Sequence, residues 1–155
     1  GRAAGAGAID DGPGVDDGPG VDDGRQAAAH THGLRADYRA LPRVTFTDPE
    51  VGAVGLTEQQ AREQGRNIQV GITRLADSSR GWIHKVGNEG FIKVIADADQ
   101  GVLVGATSAG PCGGEMLGAL AVAVHGAVPV EQLRHMMYAY PTFHRAIEDA
   151  LRNLR

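Results

Sequence analysis

The residues of this chain best suited to chemistry are Tyr140-Pro141-Thr142-Phe143-His144-Arg145. A bulky residue, Pro and Thr followed by an apolar-periodic run place one polar side chain beside the start of a helix. A phenol there can donate or accept a hydrogen bond, and a guanidinium follows five residues later. With a reference pKa of about 10 a phenol shuttles protons poorly near neutrality, whereas an imidazole near 6.5 suits that task. His144 would have to reach back four residues to act as that imidazole. Its plainer reading is a surface or interface histidine.

The other reactive side chains are dispersed. Cys112 follows Gly110-Pro111 and precedes an apolar run. A helix N-terminus can lower a thiol pKa, but no base stands nearby in sequence, so Cys112 reads as a small packed core residue. A single cysteine excludes an internal disulfide and a Cys-rich zinc knuckle. His30, His32, His84, His125 and His135 lack the four-residue spacing of a helical metal pair, and no metal is expected. The paired aspartates between Asp10 and Asp23 lack the spaced oxygens and terminal Glu of a calcium loop.

Composition narrows the function further. A net charge of −4 with both signs spread along 155 residues gives no footprint for nucleic acid. There is no basic run, lipid-anchor motif or signal peptide. The longest apolar stretch, Met116 to Val124, is far shorter than the roughly 20 residues that span a bilayer. A cytoplasmic protein is expected.

These residues need elements to hold them. Residues 1–40 repeat Asp-Asp-Gly-Pro-Gly-Val and offer almost nothing to bury, so they read as a flexible acidic linker. Residues 41–155 read as one globular domain. Arg43 to Thr47 alternates polar with inward Val44 and Phe46, and Val51 to Gly55 makes a second strand. Thr57 and Gln60 form a capping box for a helix that Gly65 stops. Ile68 to Leu75, Trp82 to Val86, Phe91 to Ala96 and Val102 to Ala109 read as strands, with Gly87-Asn88-Glu89-Gly90 as a hairpin connection. Trp82 and His84 are then half-buried sheet residues. Short turns between consecutive strands require antiparallel neighbours.

Beyond Gly110 the pattern turns helical. Met116 to Val124 is apolar on every face, so a helix there must be covered on every face. The domain's own sheet can cover one side, and either the flanking helices or a second copy the other. Met116, Leu117 and Leu120 are the candidates for a seam with a second copy, and Gly118, Ala119, Ala121 and Ala123 would allow close approach. A short helix from about Val130 to Met137 follows, and a last helix carries Phe143, Ala146, Ile147, Ala150, Leu151 and Leu154 on one stripe. The fold class is α+β, an antiparallel sheet of about four or five strands with helices packed on one face.

Four stretches, taken in order, resemble the C-terminal dimerisation domain of the FAD-dependent pyridine nucleotide-disulfide oxidoreductases, the family of lipoamide dehydrogenase, glutathione reductase and mercuric reductase. They are Pro42 to Thr57, Gly90 to Ala96, Gly101 to Met116 and Tyr140-Pro141-Thr142. The resemblance covers about residues 41–154. It implies a homodimer in which the segment before the last helix reaches the partner's flavin, with Tyr140 and Pro141 near that flavin, Arg145 in support and a Tyr140–Pro141 peptide that is cis. FAD and NAD(P)H belong, by this resemblance, to the parent enzyme, whose preceding domains carry the dinucleotide loops and redox-active cysteines. This chain has neither, so alone it is expected neither to bind FAD tightly nor to transfer hydride. The start at Gly1 is in keeping with excision from a longer polypeptide.

The chain departs from the family at two positions. Tyr140 stands where the family commonly has a histidine acid–base, and Arg145 where it has the glutamate that orients it. Two readings follow from the departures. The parent reduces an acceptor other than a disulfide, or Tyr140 serves as a weak acid. A stand-alone dimerising module without catalysis is the alternative from another class.

Overall fold

Thr57 opens the first helix by the chemistry its sequence announces. In the computed structural model, which describes residues 37–155, its hydroxyl accepts from Gln60 N at 3.2 Å and Gln60 Oε1 accepts from Thr57 N at 2.9 Å. The helix so capped is α1 (Glu58–Glu63). Around it run β1 (Pro42–Thr45), β2 (Glu50–Gly55), β3 (Ile68–Arg74), β4 (Phe91–Asp97) and β5 (Val102–Gly110), joined as one antiparallel sheet in the order β1-β2-β5-β4-β3. The remaining helices are α2 (Ser79–His84), α3 (Gly113–His125), α4 (Val130–His135) and α5 (Ala146–Arg152). The α+β class with a five-stranded antiparallel sheet is as expected.

Register decides which side chains meet. Val94 pairs with Gly71 and Ala106, and Ile92 with Thr73 and Ser108, so Ile92, Val94, Ala106 and Ser108 share one face. That face is the core, closed by Met116, Leu117 and Leu120 of α3 and by Ile147, Ala150 and Leu151 of α5. On the opposite face Lys93 donates to Glu58 of α1 at 2.7 Å, beside buried Ile95 and Ala61. Gly71 is where α5 closes on β3, since a Cβ there would lie 2.0 Å from Ala150 O. Two further bonds dock α3 on the sheet: Ser108 Oγ donates to Gly113 O at 2.7 Å, and Gly114 N donates to Glu50 Oε2 at 2.9 Å.

Several expectations need correction. Trp82 to Val86 is not a strand. Ser78 accepts from Gly81 N at 3.0 Å and starts α2, which Lys85 ends at φ 66°. Trp82 and His84 are therefore exposed rather than half-buried. Phe46 lies beyond the end of β1 and points to solvent, leaving Val44 alone to pack inward. Cys112 is exposed, because the helix that buries its neighbours begins one residue later. The acidic linker lies outside the described residues up to residue 36. Tyr38–Ala40 already form a 3₁₀ turn with Ala40 in the core.

The seam expected at Met116, Leu117 and Leu120 also fails in that form. They are 2%, 2% and 1% exposed, because they are the large residues of α3 and face the chain's own sheet. The outward stripe is Gly118, Ala119 and Val122. No helix among the described residues is long and apolar enough to cross a membrane.

Candidate functional site

The corner before α5 is built by one turn and one stack. Thr142 Oγ1 donates to Ala139 O at 2.6 Å, closing residues 139–142 around a cis Tyr140–Pro141 peptide. Phe143 then anchors the corner in the core, with the His84 ring set edge-on at 5.3 Å between centroids. Arg80 places its guanidinium 5.8 Å from the same ring. Held from below, the corner leaves Tyr140 67% exposed.

Arg145 organises the exposed side. Its guanidinium lies 5.4 Å from the centroid of the Tyr140 ring, a cation over an aromatic face. Its other contact is Glu148, with Nη2 3.2 Å from Oε2. Glu148 pairs with Arg152 as well, so one little-exposed carboxylate serves two arginines. Glu148 also acts on Tyr138, whose phenol is pushed up to about 12, first by burial and then by that negative charge. The Tyr138 hydroxyl donates to Leu133 O at 3.0 Å, which ties α4 to the approach to the corner.

Two recesses flank this ridge. A polar one of about 230 Å³ lies among Ser78, Ser79, Tyr140, Arg145 and Asp149. The other, of about 510 Å³, takes in His84, Cys112, Glu115 and His144. Tyr140 and His144 thus line different recesses, and the nearest aromatic partner of His144 is Tyr138, at 6.3 Å. Among the described residues no three His, Cys, Asp or Glu side chains are placed to hold a metal ion. A third recess of about 350 Å³ is almost wholly apolar. It runs from the outward stripe of α3, Gly118, Ala119 and Val122, to Met136 and Tyr138.

The family model for the pyridine nucleotide-disulphide oxidoreductase dimerisation domain matches residues 41–151. The chain belongs to that family.

Among curated relatives of the dimerisation domain, the dihydrolipoyl dehydrogenase of Halobacterium salinarum is 36% identical over 114 residues, 74% of this chain and 24% of the relative. That of Mycobacterium tuberculosis is 34% identical over 119 residues, 76% and 25% respectively. The chain therefore spans about a quarter of the length of the curated relatives it matches. The HOCl-induced flavoprotein disulfide reductase RclA of Escherichia coli superposes with a TM-score of 0.71 at 26% identity, covering 78% of this chain and 28% of that one. LpdA of Mycobacterium tuberculosis gives the same TM-score of 0.71 over 83% of this chain and 28% of that one, at 23% identity, a likeness of fold.

Three residues of the dimerisation domain escaped the sequence reading. Arg80 and His84 brace Phe143; the strand expected over Trp82 to Val86 hid His84, and Arg80 lies just ahead of it. The signal was present in Ser78, a capping hydroxyl ahead of Ser79-Arg80-Gly81. Glu148, which holds Arg145, follows it by three residues on the same helical surface, the spacing at which helical charges meet.

Proposed function

We propose that this domain builds the homodimer of an FAD-dependent NAD(P)H oxidoreductase and brings Tyr140 and Pro141 to the flavin of the partner subunit, with Arg145 in support. The observation that carries the proposal is the outward stripe of Gly118, Ala119 and Val122 on a helix whose other face is core, Val122 being 68% exposed. It lines an apolar recess of about 350 Å³. Exposed apolar surface of this kind marks an interface. Small side chains let two such helices approach closely.

The corner alone does not fit a flavin. Its polar recess of about 230 Å³ is smaller than the roughly 300–1,000 Å³ that encloses a small organic ligand. Its residues can meet a cofactor only where another part of the protein holds it. FAD supplies electron transfer in such enzymes. Here Tyr140 offers a hydroxyl and an open ring, and Arg145 holds a positive charge against that ring.

Tyr140 and Arg145 in place of the family's His and Glu support a parent whose acceptor is not a disulfide. A quinone or dye is the corresponding substrate class. The test is a Tyr140→His variant of the full-length enzyme assayed with disulfides and quinones. Quinone reduction by the parent, with no disulfide reduction, supports the reading. Ready disulfide turnover by the unmodified parent contradicts it.

A further inference from the structure

A recess of about 560 Å³ lies at the edge of the sheet where β1, β5, α1 and the end of α3 meet, lined by residues none of which belongs to the Tyr140 corner. We propose that it binds a small molecule bearing a terminal phosphate on an apolar, planar body. Its volume lies within the roughly 300–1,000 Å³ typical of such sites.

The lining divides by chemistry. Arg39, Arg43 and Arg66 all border the recess, and no aspartate or glutamate does. Two of the three are already compensated from outside it. Arg39 grips Asp37, with Nε at 2.9 Å and Nη2 at 2.5 Å from Oδ2. Arg66 Nη1 lies 3.0 Å from Asp97 Oδ2. Arg43 pairs with no carboxylate among the described residues, and its one polar contact is a long 3.4 Å bond from Nη2 to Gly55 O. Among the described residues the recess therefore holds one positive charge met by no carboxylate, at Arg43, beside two guanidinium groups already paired.

Arg39 Nη1 and Arg66 Nη2 meet no carboxylate among the described residues, so with the Arg43 fork they leave guanidinium donors for a tetrahedral oxyanion. Gln64 adds amide donors, since its Oε1 is occupied by Arg66 Nε at 3.0 Å. A phosphate with three terminal oxygens uses this many donors, whereas a carboxylate with two leaves some unmet. Leu56, Leu103 and Val124 supply an apolar part of the wall. Bare inorganic phosphate leaves that wall uncovered, so the preferred ligand carries an apolar ring on the anion.

The test is a titration of the 155-residue chain, followed by backbone amide shifts, with adenosine 5′-monophosphate, adenosine and inorganic phosphate in parallel. Saturable shifts at Leu56, Gln60, Val104 and Ala127 are expected with the nucleotide, each fragment alone binding about tenfold more weakly or worse. Arg43→Ala should weaken nucleotide binding about tenfold, by loss of a charge-assisted bond, while Arg43→Lys recovers part of it. Tyr140→Phe should change nothing. Arg43 is exposed on an edge strand, and unchanged amide positions elsewhere confirm that its variants fold. No saturable shift with the nucleotide at millimolar concentration, or binding indifferent to Arg43→Ala, overturns the proposal.

Discussion

Arg145 places its guanidinium carbon 5.4 Å from the centre of the Tyr140 ring while Glu148 Oε2 lies 3.2 Å from Nη2 of the same group. Carboxylate, cation and phenol ring stand in series, so the exposed tyrosine is positioned by charge rather than by packing. Arg145→Ala removes the middle member. A cation–π contact at an exposed site contributes about 0.5–1 kcal/mol, so the melting temperature should fall by only a few degrees. The Tyr140 ring resonances should shift towards free-tyrosine values, as NMR of the variant would show. Unchanged resonances would mean that the cation does not place the ring.

Gly71 sets the distance between α5 and the sheet. A methyl at this position would come within 2.0 Å of the Ala150 carbonyl, and backbone cannot move aside as a flexible side chain can. Gly71→Ala should destabilise the domain by about 1–3 kcal/mol, the usual range for overpacking, and lower the urea midpoint. Because α5 follows the Tyr140 corner directly, the same variant should broaden the signals of residues 139–146.

How far the sequence discloses this architecture depends on whether its signal is local. Thr57 and Gln60 are three residues apart and satisfy each other, so α1 was legible before any packing was known. Ile68 to Arg74 alternates cleanly and is a strand, yet its core-facing side carries buried Gly71 while Ile72 on the apolar side is 51% exposed. Alternation gives two faces and does not say which one a helix will cover. The same gap misplaced the α3 seam. Where every residue is apolar the pattern has no direction, and only packing on the sheet turns Met116, Leu117 and Leu120 inward and Gly118, Ala119 and Val122 outward. The Tyr140–Pro141 corner was legible as a motif. The bracing of Phe143 by His84 and Arg80 was not, because the contact joins residues about 60 apart across the fold.

Acid should act through Asp97. Its carboxyl is held below the usual carboxylate range, chiefly by the backbone N–H of Gln100, with Arg66 and the Asp99 N–H adding to that and burial opposing it. A depressed folded-state pKa contributes stability in full above the unfolded value of about 3.9, and that contribution drains away as the pH falls through the lower folded value. Urea midpoints should therefore drop on acidification below about pH 4. Asp97→Asn should be less stable at neutral pH and less sensitive to acid.

Alkali should act through Tyr138, whose phenol ionises at about 12, raised first by burial and then by Glu148. Here the folded state favours the protonated form. The stabilisation is complete below the ordinary tyrosine value of about 10 and is lost as the pH rises towards the folded value. Tyrosinate absorbance should show a late step near pH 12 that Tyr138→Phe removes. That variant also frees Leu133 O from its 3.0 Å bond and should loosen α4.

Light scattering on the eluting 155-residue chain, alone and as Val122→Asp, bears most directly on the interface. Val122 is 68% exposed in the single chain, so a charge there should leave the fold and its urea midpoint within about 0.5 kcal/mol of the parent's. The unmodified chain is expected at twice its monomer mass, and Val122→Asp at the monomer mass. A strict monomer at high concentration, or a dimer indifferent to the aspartate, would contradict the outward stripe of α3 as the dimer seam.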